Sequence, residues 1–514
     1  METRKNMTEA EHWIIMNDGV RLDATTFTPE GRPPEGGWPA ILFGHGHGDA
    51  GNKTATFHRA RRYADHGYLT ICYSLRGQGD SEGLVFHMGA REVFDLQDVI
   101  TWVFSDCPCH RDKLAVVGSS QGGWHAYMAA AHHPLVATVV AENIFTQYDE
   151  FAVHKGCLAK WFFTRTMRRR ILTAGLQEMA RKWALDGDWF RIQEWVKPTS
   201  PMLFANRIKC PILIVHGWHD IGMPPNEVVT LFEKITAPKK LYLGGGGHDG
   251  LDSTSAQNIR NELTDRWLNH WLKKQDTGLM DEPPITYAQR PGWDHFAVAT
   301  MPPKDVANQT LYLSAQTPDQ ETPLDPNATF SVLRPQPDRS LRVDAPDKPS
   351  IHSNLTNRPT DPGYGLKEAL EDDMAGVSEA LTKETISFKG TPTDAPIEIV
   401  GSPAANLYVM PNRPQIQIVV DLYDGSPDGE RTLITRGQFG TRTARPGLHL
   451  CAIIEMRTIG YHLGKGHHLI FEISNYDTTY AFPYFEPFLA RLYHDNRFPS
   501  ALEIPVRQES LSQV

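Results

Sequence analysis

The sequence predicts an α/β domain with a mostly parallel sheet, interrupted by a helical insert and followed by an all-β domain. Three observations predict it. Short apolar, β-branched runs alternate with segments of helical period up to residue 281, as in buried parallel strands joined by crossover helices. Between residues 143 and 206 the pattern changes to aromatics (Trp161, Phe162, Phe163, Trp183, Trp189, Phe190, Trp195) interleaved with Arg165 and Arg168-Arg169-Arg170. Past Asp281 the helical alternation stops, and short strands with turn signals take over.

Taken in order, Trp13–Met16, Asn17-Asp18-Gly19-Val20 and Arg21–Thr28 read as a hairpin with Asp-Gly at its turn. A Pro/Gly loop over 31–38 leads to a buried strand, Ala40–Phe43, which ends in Gly44-His45-Gly46-His47-Gly48-Asp49. A helix over Thr56–Asp65 stops at Gly67. Leu69–Tyr73 is the next strand and empties into the loop Ser74–Gly83. Arg91–Val103 is amphipathic, with Val93, Phe94, Leu96, Ile100 and Val103 on a helical period. Strands follow at Leu114–Val117, Val136–Ala141, Pro211–Val215 and Lys240–Leu243, the last closing the sheet. Glu227–Ile235 and Ser255–Lys274 are helices, the second carrying Ile259, Leu263, Trp267 and Trp271 on one face. The β region offers strands at Ile285–Gln289, Thr310–Ser314, Thr329–Leu333, Ile397–Val400, Ala405–Val409, Gln415–Tyr423, Thr432–Phe439 and His467–Ser474. The span Gln316–Ala375 is Pro/Asp-rich and irregular, with a short helix near Leu366–Leu370. The resulting division is a discontinuous core (1–142 and 207–281), a helical insert (143–206) and a C-terminal β-sandwich or jelly roll (282–514).

Gly118-Ser119-Ser120-Gln121-Gly122 matches G-x-S-x-G between an apolar strand and an Ala-rich helix. This is the strand–turn–helix context of a nucleophile elbow, with Ser120 at its tip. Glycines two residues either side remove side chains that would collide across so tight a turn. An activated serine needs a base, a group to orient that base, and donors for the oxyanion. Asp220 follows the Pro211–Val215 strand in His216-Gly-Trp-His-Asp220. His248 lies in the glycine-rich loop Gly244–Gly250 after Lys240–Leu243. Ser120, Asp220 and His248 thus occur in the chain order of an α/β-hydrolase triad, each past a strand's carboxyl end. Imidazole suits the base because its pKa lies near working pH, and Asp220 fixes its tautomer. For the oxyanion, the Gln121 backbone N–H is one donor. His47, by backbone or ring, is the candidate for the second.

These motifs resemble the cocaine esterase / X-prolyl dipeptidyl-peptidase family of α/β-hydrolase serine hydrolases. The matching pieces are Arg76-Gly77 with Ser81-Glu82-Gly83, the elbow Gly118–Gly122, Gly217-Trp218-His219-Asp220 and Gly247-His248. Gly292-Trp293, the Gly401 segment leading to Leu407-Tyr408-Val409, and Gly466-His467-His468 before Ile470 match as well. The resemblance implies an α/β-hydrolase core with an inserted helical cap and a C-terminal all-β jelly-roll domain, and places Ser120, Asp220 and His248 on the family's triad. It also implies hydrolysis of an ester, or of an X-prolyl peptide or amide. The family often supplies a tyrosine hydroxyl to the oxyanion hole, where this sequence has His45–Gly48. The acidic residues that hold a substrate amino group in amino-acid ester hydrolases have no assigned match, and Glu142 is the candidate. Trp161 and Trp218 are candidates to line the acyl pocket.

The chain has 51 basic and 61 acidic residues in 514, a formal charge of −10, which argues against generic nucleic-acid binding. Its start has no apolar signal segment, and no apolar stretch approaches 18 residues, so neither export nor membrane spanning is expected. Six cysteines without framework spacing fit reduced thiols and a cytoplasmic protein. The expected partner is a small-molecule ester or short peptide, with no cofactor, and a homo-oligomer is left open. Two other readings use the same residues differently. His45-x-His47, with His216, His219 and Asp220, resembles a metal-ligand set. Alternatively, the β domain is a carbohydrate- or partner-binding module on a non-catalytic core. Arg165 and Arg168–Arg170 read as a solvated helix face, and Arg76 with Asp80 as an ion pair that holds their loop.

Overall fold

The computed structural model describes residues 7–48, 51–86, 88–166, 175–248, 254–314, 322–325 (backbone only), 352–495 and 497–508. The expectations for Asp49, Arg168–Arg170 and the strand Thr329–Leu333 fall outside them. The chain divides into two compact units. One holds the residues up to Val153 together with Ala159–Thr300. The other holds His154–Leu158 together with the chain from Met301 on.

In the first unit the elements run β1 (Met7–Ile15), β2 (Arg21–Pro29), β3 (Trp38–Gly44), α1 (Phe57–Asp65), β4 (Leu69–Tyr73), α2 (Ala90–Asp106), β5 (Cys109–Ser119), α3 (Gln121–His132) and β6 (Thr138–Glu142). The insert follows, with α4 (Tyr148–Ala152), a π-helical turn at Phe162–Thr166, α5 (Leu176–Leu185) and α6 (Trp189–Val196). The two-residue strands β7 (Val153–His154) and β8 (Cys157–Leu158) lie between α4 and that turn, and apart from Val153 they fall to the second unit. Then come β9 (Ile212–Gly217), α7 (Pro225–Lys234), β10 (Lys239–Gly244), α8 (Thr254–Lys273), β11 (Ile285–Gln289) and β12 (Asp294–Val298). Ten strands form one sheet in the order β1-β2-β4-β3-β5-β6-β9-β10-β11-β12. From β4 to β11 the neighbours are parallel, and β1, β2 and β12 add antiparallel edges. The central strands β3, β4, β6 and β9 are buried along their whole length. This explains their continuous apolar runs: a strand covered on both faces has no solvent side to make polar.

Helix α8 covers one face of this sheet. Trp267 and Leu263 are buried, Ile259 and Trp271 pack beside them, and the Trp267 indole N–H donates to Thr138 Oγ1 at 2.8 Å. Helix α2 buries Leu96, Ile100 and Val103 as its apolar period predicts, but not Phe94. Phe94 is half exposed, whereas Glu92 and Asp95 are buried beside Leu96, Val99, Ile100 and Val103. Arg76 accounts for Asp95: its Nε and Nη2 donate to the two carboxylate oxygens at 2.6 and 2.7 Å. The ion pair expected at Arg76 therefore exists, but with Asp95 and Asp18 instead of Asp80.

One boundary needs correction. Lys240–Leu243 does not close the sheet, and the β region does not begin at 282. Strand β11 pairs in parallel with β10 (Leu241↔Ile285), and β12 pairs back on β11. Both belong to the first unit. A strand's own pattern tells its period and not which sheet it joins, so nothing in Ile285–Gln289 alone separates the two choices.

The second unit is a sheet assembly whose recorded pairs are antiparallel, apart from Thr322–Asp325 beside Thr385–Gly390. Ile416–Gly425 pairs with Arg431–Thr441 on one side and His468–Ser474 on the other. Ala404–Pro411 pairs with Leu450–Glu455 and Phe488–Tyr493. Leu407, Val409, Ile418, Val420, Phe471 and Ile473 are inward-facing and buried. The expected helix is present at Leu366–Glu371. Within the span read as irregular, however, His352–Pro359 is a strand paired with Phe488–Tyr493. Its lone aliphatic residue, Leu355, gives no alternation to read, so the strand is made by its partner.

Candidate active site

Strand β5 ends at Ser119 and helix α3 begins at Gln121, which leaves Ser120 alone at the bend with φ 58° and ψ −122°. A side-chain-bearing residue at such angles costs on the order of 1–3 kcal/mol and persists only where its surroundings hold it. Here they do. The Ser120 N–H donates to Glu142 O at 2.9 Å and its carbonyl accepts from Trp124 N–H at 2.9 Å. The bend is tight enough to dictate its glycines. A Cβ at Gly118 would lie 2.4 Å from the Gly122 carbonyl, and one at Gly122 would lie 2.1 Å from Gly44 O.

The loops after β9 and β10 bring the partners in. His248 Nε2 lies 2.8 Å from Ser120 Oγ, and His248 Nδ1 lies 2.7 Å from Asp220 Oδ2. Asp220 is fully buried, and its other oxygen accepts the N–H groups of Gly222 and Met223, both at 3.0 Å. An ionised carboxylate needs such donors when water is excluded. With Asp220 accepting from Nδ1–H, Nε2 is the free lone pair that faces the Ser120 hydroxyl, so serine O–H donates to histidine.

Asn143 was not singled out from sequence, yet it holds this arrangement. Its Nδ2–H donates to His248 O at 3.2 Å and its Oδ1 accepts from Gly217 N–H at 3.2 Å, which ties the loop after β10 to the end of β9. Its backbone has φ 46°, a conformation asparagine tolerates better than most residues. An asparagine directly past a strand's carboxyl end was the available signal.

The other named residues separate into two groups. Gln121 supplies the first amide of α3, a donor with no acceptor inside the helix. The segment that carries His47 passes beside Ser120, since a Cβ at Gly46 would sit 3.6 Å from Ser120 Cβ. Trp161 stands edge-on to the His248 ring, centroids 5.1 Å apart, with the Arg165 guanidinium 5.0 Å over its own ring. Trp218 and Glu142 are placed for other work. Trp218 is buried, and its indole N–H donates to Ala288 O at 2.7 Å, which fastens the end of β9 to β11. Glu142 is buried in a two-pronged ion pair with Arg59, at 2.8 and 3.2 Å, so its charge is already matched. Neither position was readable from sequence, because each depends on a partner more than 65 residues away.

His45 is not poised as a metal ligand. Its Nδ1–H donates to Gly46 O at 2.8 Å and its Nε2 accepts Leu75 N–H at 3.0 Å, so both nitrogens are used inside the loop. Burial lowers its pKa to about 4 and keeps it neutral. His216 Nε2 likewise faces Met223 O at 2.9 Å. A cavity of about 780 Å³ between α1 and α8, lined in part by Trp38, Tyr68 and Lys273, shares no residue with the triad.

The family model for X-Pro dipeptidyl-peptidase (S15 family) matches residues 18–250, and that for the X-Pro dipeptidyl-peptidase C-terminal non-catalytic domain matches residues 277–488. A Bacillus cereus protein provisionally named an Xaa-Pro dipeptidyl-peptidase is 23% identical over 256 residues. That match takes in 43% of this chain and 42% of the relative, so less than half of the relative's length is spanned. A Mycobacterium bovis protein provisionally named a serine esterase is 22% identical over 546 residues, 84% of this chain and 81% of its own. Among solved structures, a CocE/NonD family hydrolase from Staphylococcus aureus superposes with a TM-score of 0.72 at 15% identity, covering 97% of this chain and 94% of that one. At that identity the likeness speaks to the fold.

Proposed function

The chain belongs to the X-Pro dipeptidyl-peptidase (S15) family of serine hydrolases, and on that premise we propose that it cleaves a small-molecule ester through an acyl-enzyme. The observation that carries this reading is the continuous relay Ser120 Oγ, His248 Nε2, His248 Nδ1, Asp220 Oδ2, with links of 2.8 and 2.7 Å. Ser120 Oγ attacks the acyl carbon while His248 Nε2 takes its proton. Asp220 stabilises the imidazolium that forms. The Gln121 N–H, and a second donor from the Gly46–His47 segment, bind the oxygen as it becomes negative. His248 then returns the proton to the leaving alcohol, and water repeats the sequence on the acyl group. Trp161 beside His248 suits it to face the substrate, with the segment 143–206 acting as a cap.

The same relay serves an X-prolyl dipeptidyl-peptidase or amidase. One observation favours the ester: the carboxylate that the sequence offered to a substrate ammonium, Glu142, is matched by Arg59. The near-uniform antiparallel pairing of the second unit supports a jelly roll. Six cysteines without a disulfide among the described residues support residence in the cytoplasm. No described helix is long and apolar enough to cross a membrane.

The test is labelling with a fluorophosphonate probe and peptide mapping, alongside turnover of p-nitrophenyl acetate and glycyl-prolyl-p-nitroanilide. The expected result is an adduct on the Ser120 peptide, absent in Ser120→Ala, with the ester turned over faster than the anilide. Full ester turnover by Ser120→Ala would refute the assignment. Preference for the anilide would move it to the peptidase.

A further inference from the structure

The loop after β4 does something that neither the triad nor the family comparison assigns. Its turn, Leu75–Gln78, touches both sides of the oxyanion site. On one side the Leu75 N–H donates to His45 Nε2 at 3.0 Å, and His45 Nδ1–H donates to Gly46 O at 2.8 Å. That chain of bonds fixes the backbone just before His47. On the other side Gln78 Nε2 donates to Gln121 Oε1 at 3.2 Å. Gln121 is the residue whose backbone N–H the proposed mechanism assigns to the oxyanion. His45, Gln78 and Gln121 are each at most 2% exposed.

The turn itself is rigid. Gln78 N–H donates to Leu75 O at 2.9 Å and Ser81 N–H donates to Gln78 O at 3.1 Å. Ser81 Oγ donates to Ser74 O at 2.7 Å, and Arg76 is clamped between Asp95 and Asp18. Gly77 and Gly79 take φ of 70° and 57°, which lets the chain double back. The buried His45 ring stays neutral over the working pH range, so its two bonds keep their sense.

We infer that Gln78 is a positioning residue: by holding Gln121 from the same turn that holds His45 and Gly46, it sets the spacing of the two oxyanion donors. This rests on the serine-hydrolase reading above. The physical reason is that an oxyanion donor works only when its N–H already points to where charge develops. A displacement of about 1 Å is worth up to ~10²-fold in rate. The Gln78–Gln121 pair is buried, so water cannot replace a lost bond there, and the amide left behind has reason to turn.

The test compares wild type with Gln78→Leu and Gln78→Asn, the second keeping an amide too short to reach Gln121. Three quantities are read: kcat and KM for p-nitrophenyl acetate, the inhibition constant of phenylboronic acid, and the melting temperature. The boronate forms a tetrahedral adduct on serine and so reports the oxyanion site directly. We expect kcat to fall about 10-fold or more with KM little changed, and boronate affinity to weaken by a similar factor. In a Gln121→Met background the Gln78 substitutions should add little further loss, since the bond is already gone. Normal kcat and normal boronate affinity in both folded Gln78 variants would overturn the inference. So would equal losses with and without the Gln121→Met change. A wild type that neither turns over ester nor takes the fluorophosphonate would instead defeat the serine-hydrolase reading.

Discussion

Two neighbouring strands, β6 and β9, each deliver a buried carboxylate near the same edge of the sheet, Glu142 at the end of one and Asp220 just past the other. Glu142 meets the guanidinium of Arg59, a group that stays charged at any working pH. Asp220 meets His248, a group that gains and loses a proton in the proposed mechanism, and the relay continues to Ser120. A third buried carboxylate, Glu92 on α2, makes no ion pair among the described residues: it accepts the N–H groups of Gly89 at 2.6 Å and Phe86 at 3.1 Å. Position at a strand end therefore does not make a carboxylate catalytic. The partner decides whether it serves as an orienter, a static ion pair or a loop fastener.

Substituting the three carboxylates tests that division. Asp220→Asn has the largest expected effect, a fall in kcat of about 10⁴-fold with the fold intact, because the histidine then prefers the wrong tautomer. Steady-state kinetics with an unchanged melting temperature would bear this out. Glu142→Gln should act on stability. Removing one partner of a fully buried pair costs about 3–5 kcal/mol. Arg59 keeps some solvent access, which reduces the loss to roughly 1–3 kcal/mol. Urea unfolding should register this, while kcat falls far less than in Asp220→Asn. A kcat loss matching that of Asp220→Asn would place Glu142 in the reaction and erase the contrast.

Glu92 should produce the mildest effect, visible only against pH. Burial raises its pKa from the ordinary carboxyl value of 4.5 to about 7. The folded chain thus holds this proton where the unfolded chain has lost it. The stability this confers is fully present below pH 4.5, declines by roughly 1.4 kcal/mol per pH unit as pH rises, and is gone above about pH 7. Glu92→Gln should abolish that slope between pH 4.5 and 7. An identical slope in the variant would locate the pH dependence elsewhere.

Much of the fold was legible because buried parallel strands announce themselves as unbroken apolar runs. The hydrogen-bonded set Ser120, His248 and Asp220 was legible because its order along the chain carries information that no single residue does. What escaped was set by distant partners. Phe94 looked inward on its period, yet Arg76 pulls Asp95 to that face instead. Glu142 looked available until Arg59, 83 residues earlier, was seen to claim it. Strand β11 carries a period but no address, and only its pairing with β10, with β12 paired back on it, assigns it to this sheet. Asn143 escaped because its role is to bind the loop after β10 to the end of β9, both distant in sequence.

The backbone of Ser120, at φ 58° and ψ −122°, has a practical consequence. The proposed nucleophile occupies a conformation that glycine adopts more readily than serine. Durability and reactivity therefore pull in opposite directions at this position. A selection that rewards only how long the protein survives heating would drift toward glycine at 120 and enrich sturdy, inert molecules. Any campaign to harden this enzyme has to score turnover in the same round.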